Sequence, residues 1–251
     1  MRASEGLRGE LLDRVPDDPV WIEARAALLD SKSRLYGDPR GFVVRSDGLR
    51  LGAIVGRASE SLIREALSDI ADAGSDPTAL WAVVMPAGFT RDARSAMSGW
   101  RADEASIFGE PNEGGVSTQT ASANVRLMRR SEAVLLEDLP EALAAELNEV
   151  FDRSEVAAAW VDGRPVSFCY IACESEKLWD ISINTVAAYR RRGLAGDCVR
   201  WLAATMAKRG KRAVWGAHSE NVASRRLAEK LGFEPSGRLC LFENSAGEQQ
   251  A

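Results

Sequence analysis

Residues 179–196 constrain this chain more than any other stretch, because the hydrophobic period changes inside them. Trp179, Ile181 and Ile183 alternate with Asp180, Ser182 and Asn184. A period of two puts the apolar side chains on one face of a strand and the polar ones on the other. From Arg190 onward the period lengthens, and Leu194, Cys198, Trp201, Leu202 and Thr205 follow helical spacing. Between the two lie Arg190, Arg191 and Arg192, then Gly193 and Gly196. The first turn of a helix leaves backbone N–H groups unpaired and carries the positive end of the macrodipole. Small residues at 193, 195 and 196 let an anion approach that backbone. The expectation is a strand, a pyrophosphate-binding turn and a helix. Taken alone, the turn is equally readable as a solvated arginine run with a glycine used only for the bend.

A second segment removes the turn from isolation. Ala213-Val214-Trp215-Gly216-Ala217 reads as a strand, and Asn221-Val222-Ala223-Ser224 opens a short helix that ends at Lys230-Leu231-Gly232-Phe233, with Gly232 just past its last turn. The pair of segments resembles the GNAT superfamily of N-acetyltransferases. The acyl-coenzyme A signature, Arg/Gln-x-x-Gly-x-Gly/Ala after a strand, is matched by Arg190-x-x-Gly193-x-Ala195. The later signature is matched by Asn221-x-x-Ser224 and the Lys-Leu-Gly-Phe helix end. The resemblance covers residues 125–245, and the wording of the motifs is most similar to a subgroup with an extra N-terminal half, some members of which are linked to antibiotic self-resistance.

The resemblance implies a mixed α/β sheet of the acyl-CoA N-acyltransferase fold in the C-terminal half, acetyl-CoA as co-substrate, no metal, and direct attack of an amine on the thioester. It places the cofactor on Arg190, Arg191, Arg192, Gly193, Leu194, Ala195 and Gly196, with Asn221 and Ser224 nearby. It pairs the pantetheine arm with the backbone of Asn184, Thr185 and Val186, and makes the Val186 N–H the donor to the thioester carbonyl. Asp180, on the polar face of the strand, matches the place of a strand glutamate that serves as base in histone-type members. Glu174, on an expected hairpin tip, and His218, the sole histidine, are the other candidate bases; an imidazole titrates near neutrality. The sequence departs from the family where many members carry a tyrosine acid, since Ala228 stands there. Ser224 is the nearest hydroxyl, and is equally readable as a helix-start residue bonding locally.

Composition narrows the class. The net charge of −5 argues against a general nucleic-acid binder. No apolar run is long enough for a membrane span, and the start of the chain lacks a secretory core. Cys169, Cys173, Cys198 and Cys240 have no zinc-type spacing. A cytoplasmic protein acting on a small-molecule amine is expected, with a homodimer left open. A non-catalytic acyl-CoA-binding regulatory module and a peptide N-terminal acetyltransferase are the competing functions.

The rest of the chain reads as an N-terminal α/β domain, residues 1–115, joined by a Gly- and Pro-containing linker at 109–118 to the acetyltransferase domain, residues 120–251. Residues 1–17 are polar enough to suggest a loosely held end. Asp18 and Pro19 start a helix. Residues 37–41 read as a turn, 42–44 and 51–56 as strands, 59–73 as a helix, 80–85 as a buried strand and 90–100 as a helix. That order invites comparison with the second half as a degenerate copy, an analogy of fold only. The second half shows one early helix, at 138–151, where the family has two, which suggests that residues 1–115 cover the sheet face left open.

Overall fold

The computed structural model describes residues 5–72, 81–86, 88, 90–111 and 124–244. They form two compact units. The first takes Met1–Ile107, Ala217–Asn221 and Ser236–Ala251; the second takes Phe108–Gly216 and Val222–Pro235. Most of the expected linker, residues 112–118, and the tail beyond Asn244 lie outside the described residues.

The first unit begins with a helix where the polar sequence suggests none, α1 (Glu5–Arg14). It is followed by a 3-10 turn (Pro19–Trp21) and α2 (Ile22–Leu29). Asp18 caps the turn by accepting from the Val20 N–H at 3.2 Å. Leu11 and Val15 are buried. Two arginines join the helices end to end. Arg8 Nη1 donates to the carbonyls of Leu28 (2.6 Å) and Asp30 (3.0 Å) at the end of α2. Arg25 Nη1 donates to the carbonyls of Leu12 and Val15 at the end of α1. Cations satisfy the orphan carbonyls of a helix C-terminus, so the residues that make this end look solvated are the ones that fix it.

Next come β1 (Arg34–Asp38), β2 (Gly41–Ser46) and β3 (Leu51–Gly56), an antiparallel meander. α3 (Glu60–Asp72) returns the chain to β4 (Ala82–Met85), which runs parallel to β3 over Leu51↔Ala82, Gly52↔Val83 and Ala53↔Val84. α4 (Arg91–Ala96) is capped by Thr90, whose Oγ1 accepts from the Ala93 N–H at 3.1 Å. β5 (Arg101–Gly109) follows. The sequence misses β1 and β5. The first is hidden because the turn-forming run 37–41 is a hairpin bend flanked by strand on both sides. The second opens on four polar or small residues, and its buried alternation is confined to Ala105 and Ile107.

The second unit contains β6 (Val125–Leu127), a 3-10 helix (Arg130–Leu136), α5 (Glu141–Val150), β7 (Val156–Val161), β8 (Arg164–Glu174), β9 (Leu178–Thr185), α6 (Leu194–Ala207), β10 (Arg212–His218, its last two residues grouped with the first unit) and α7 (Val222–Lys230). The 3-10 helix stands where a missing early helix is expected, and its Leu136 is buried. β6 to β9 are antiparallel neighbours, and β10 is parallel to β9. Asp162 and Gly163 close the β7–β8 hairpin with φ of 50° and 77°, the left-handed pair a two-residue turn requires. Phe168, Tyr170, Val156 and Ala158 pack with Leu147 and Val150 of α5 and with Met128 and Leu136.

The last strand, β11 (Glu234–Glu243), returns to the first unit. It pairs antiparallel with β4, Cys240 opposite Met85 and Phe242 opposite Val83. Phe242 and Cys240 are buried with Ile54, Ile63, Ala66, Trp81, Val83 and Met85.

The element order repeats. β1-β2-β3-α3-β4-α4-β5 in the first half matches β7-β8-β9-α6-β10-α7-β11 in the second. In each, an antiparallel meander leads through a helix to a parallel strand, and the parallel pairing covers three residue pairs. The two series differ at the turn before the helix. In the first half it is short, and its Arg57 N–H donates to the Arg40 carbonyl at 3.0 Å. A Cβ on Gly41 would lie 2.3 Å from the Arg57 carbonyl oxygen, so backbone packs on backbone there and leaves no room for an anion. No helix among the described residues is long and apolar enough to cross a membrane.

Candidate active site

The second unit's site begins where two parallel strands part. β10 and β9 are in register at Arg212↔Leu178, Ala213↔Trp179 and Val214↔Asp180, and the pairing stops there. β9 continues to Thr185, and β10 through Trp215 and Gly216. On its other edge β9 stays paired with β8 up to Ser167↔Thr185. Just beyond, the Val186 N–H donates to the Val166 carbonyl at 2.9 Å. In an antiparallel ladder successive residues point their backbone groups to opposite edges. Val186, Asn184 and Ser182 therefore turn theirs toward β8, and Thr185, Ile183 and Ile181 turn theirs toward the gap. This corrects two sequence expectations. The Val186 N–H is engaged within the sheet and is not a donor for a thioester. Of Asn184, Thr185 and Val186, only Thr185 presents its backbone to the gap, joined there by Ile183.

The turn follows directly. Residues 187–189 form a 3-10 turn, Arg191 has φ of 62°, and Gly193 has φ of 83° with ψ of −8°. Two left-handed residues so close together curl the backbone N–H groups toward one side, the geometry of an anion-binding concavity. Gly193 is the N-cap of α6 and makes no side-chain capping bond; a Cβ placed on it would meet nothing within 4 Å. The first helical bond runs from the Asp197 N–H to the Gly193 carbonyl at 3.1 Å. The N–H groups of Leu194, Ala195 and Gly196 therefore precede the helix's own acceptors. Arg190, Arg191 and Arg192 are exposed. Arg190 Nε donates to the Thr185 carbonyl at 3.2 Å, and the Arg192 guanidinium lies 5.3 Å from the centre of the Tyr189 ring. The residues fit a pyrophosphate: open backbone donors at a helix start, exposed cations beside them, and the carboxylate of the first turn, Asp197, bound to Arg200 at 2.6 Å.

Asp180 sits at the fork where β9 and β10 part. Its Oδ1 is buried and has no hydrogen-bond partner among the described residues. Burial raises its carboxyl from 3.8 to about 7, while the backbone N–H groups of Ile181 and Gly216 pull the other way. Glu174, the alternative base, is ion-paired to Lys211 at 2.6 Å.

The remaining candidates have partners of their own. Ser224, at the start of α7, accepts from the buried Trp215 Nε1–H at 2.9 Å, and the Trp215 ring meets Phe233 edge-on at 5.5 Å. The hydroxyl thus ties α7 to β10. Ala228 is fully buried. His218 and Asn221 group with the first unit. There His218 Nδ1 lies 2.8 Å from Asp103, and its Nε2 3.7 Å from Glu243. The Asn221 N–H closes a turn on the His218 carbonyl at 2.9 Å.

Sequence reasoning missed one cluster. Tyr170 on β8 donates through its hydroxyl to Glu146 Oε1 on α5, and Asn184 Nδ2 donates to the Tyr170 oxygen at 3.1 Å and to Glu146 Oε2 at 3.4 Å. Burial, then the neighbouring Glu146 charge, holds the phenol well above its usual range. The contact spans 38 residues between Glu146 and Asn184, and no local pattern signals it.

Residues 157–242 match the family model described as GNAT acetyltransferase. No curated protein matches the chain. Among solved structures, a GCN5-related N-acetyltransferase-like protein from Streptococcus suis superposes with a TM-score of 0.64 at 18% identity, over 94% of this chain and 99% of its own. A GCN5-related N-acetyltransferase from Kribbella flavida gives 0.59 at 13% identity, over 98% of each chain. An acetyltransferase of the GNAT family from Colwellia psychrerythraea gives 0.56 at 14% identity, over 95% and 94%. These likenesses establish a shared fold that runs through both halves. With the turn motif, the forked strands and the family match in hand, residues 157–242 form a GNAT acetyltransferase domain.

Proposed function

We propose that this protein transfers an acetyl group from acetyl-CoA to the amine of a small molecule. The observation that carries the reading is the gap between β9 and β10, with the Asp180 carboxyl at its fork and the open start of α6 past its far end. The backbone N–H groups of Gly193, Leu194, Ala195 and Gly196, with the side chains of Arg190, Arg191 and Arg192, hold the pyrophosphate. Thr185 and Ile183 pair with the pantetheine arm through their gap-facing backbone, and either N–H is placed to polarise the thioester carbonyl. The co-substrate supplies an activated acetyl group as a thioester. Asp180 takes the proton of the attacking amine; a carboxylate that titrates near 7 is half ionised at neutral pH and matched to that work. The C–N bond forms, the C–S bond breaks, and coenzyme A leaves as a thiolate. With Ala228 in place of a tyrosine and Ser224 engaged by Trp215, no side-chain acid is assigned to the thiolate. The four cysteines are buried and form no disulfide, which fits a reducing, cytoplasmic setting.

Acetyl-CoA is expected to raise the melting temperature, because a ligand that binds only the native state stabilises it by about 2.7 kcal/mol at a hundred times its Kd. Gly193→Glu should abolish the shift by putting a carboxylate where the pyrophosphate sits. Its left-handed backbone makes any side chain at 193 cost roughly 1–2 kcal/mol. Gly193→Ala carries the same strain without the charge, and should melt lower yet keep a shift. A folded Gly193→Glu protein with an undiminished shift would disprove the cradle. A shift unaccompanied by release of coenzyme A, across aminoglycosides, amino acids, polyamines and short peptides, would favour a regulatory acyl-CoA-binding module.

A further inference from the structure

The polar face of β9 carries more than Asp180. Tyr170 stands opposite Ser182 and Phe168 opposite Asn184, so Asp180, Ser182 and Asn184 share the sheet face on which α5 packs. Glu146 reaches that face from α5. Its Oε1 accepts from Tyr170 and its Oε2 from Asn184. Both donors are neutral, and the raised phenol remains protonated at any working pH. Neither Glu146 nor Asp180 has a cationic partner among the described residues, although the same unit pairs its other strand-end carboxylate, Glu174, with Lys211. Asp180 Oδ1 is in addition buried and unbonded. That sheet face thus carries two carboxylates without a cationic partner among the described residues, Asp180 from β9 and Glu146 from α5.

We infer that this face is the acceptor site and selects a multiply cationic amine, with one ammonium bound by Glu146 while the amine to be acetylated lies at Asp180. The inference rests on the acetyl-transfer reading for the second role only. Asp180 and Asn184 are four residues apart, about 13 Å along a strand, and Asn184 touches Glu146. Amino groups separated by roughly 8–13 Å therefore span the two carboxylates, and Ser182 lies between them to meet a hydroxyl or secondary amine. Alkyl polyamines and aminated sugars share this chemistry.

The test compares spermidine, kanamycin, octylamine and ethylenediamine as acceptors. It also measures spermidine and kanamycin binding to the coenzyme A-saturated protein by calorimetry. Glu146→Gln removes the charge and keeps an acceptor oxygen for Tyr170, and its NH2 group donates to the Asn184 amide oxygen once that amide turns over. In the wild type, kcat/KM should be higher for spermidine or kanamycin than for octylamine, and ethylenediamine should behave as a short monoamine. In Glu146→Gln the selectivity ratio over octylamine should fall about ten- to hundredfold, the range expected for a lost charge-assisted hydrogen bond, with the change in KM. Whichever of spermidine and kanamycin loses more identifies the source of the cations. An unchanged ratio, or equal loss for octylamine, overturns the inference. So does failure of both polycations to bind. Glu146-dependent binding of a polycation without turnover would uphold the subsite and sink the transfer reading instead.

Discussion

Asp180→Asn is expected to lower kcat by roughly 10²–10⁴-fold, the contribution of a positioned base, while leaving acetyl-CoA affinity in place. An acceptor amine is mostly protonated at neutral pH and has no lone pair until a proton leaves. The loss should shrink at high pH, where the amine deprotonates unaided. The wild-type rate should rise through pH 7 as the carboxyl ionises, and that limb should disappear from the profile of the variant. Stability gives a second reading of the same group. A carboxyl raised from 3.8 to about 7 by burial favours the folded state only while protonated. That contribution is complete below pH 3.8 and is lost as the pH rises through 7. Asn mimics the protonated form, so Asp180→Asn should melt above the wild type at pH 8 and together with it near pH 4. If the kcat of Asp180→Asn stays near normal while that of His218→Ala collapses, the base is His218. If neither matters, positioning of a neutral amine is the whole contribution.

A fragment of residues 120–251 should not fold cooperatively. The expected reason, a missing early helix, is not the operative one, because the 3-10 helix and α5 are both in place. The reason is β11. Leu239, Cys240, Leu241 and Phe242 are buried, and β11 pairs with β4, which the fragment lacks. Exposing a large apolar side chain costs about 1.5–3 kcal/mol, so the two leucines and Phe242 alone approach the 5–15 kcal/mol that holds a typical domain together. The bare strand edge would also invite association. Circular dichroism and sedimentation of the fragment decide this; a soluble monomer with a sharp melting transition would refute it.

How far the sequence could be read depended on whether the signal was local. The period change at Arg190 and the glycine at 193 exposed β9, the turn and α6, because alternation and left-handed backbone are properties of neighbouring residues. The same logic found the Asp162–Gly163 hairpin. It failed for α1, where Arg8 and Arg25 look solvent-facing until the helix ends they cap are seen. It failed for Val186, whose N–H direction depends on the register of β8. It failed for Ser224, whose partner Trp215 lies on another element, and for Glu146, which no motif includes. Asp180 was visible as a polar residue on a strand, but its placement at the fork required knowing where the pairing with β10 ends.

The return of β11 to β4 also sets a timetable. Cys240 pairs with Met85, so 240 − 85 = 155 residues separate partners that lie side by side. At a synthesis rate of about 5–20 residues per second, the open edge of β4 waits roughly 8–30 s on the ribosome for its neighbour. The amino-terminal half emerges first and is finished last. Ribosome-bound chains truncated before residue 236 should accordingly recruit chaperones, and translation speed through the second half should govern how much of the protein reaches its native state.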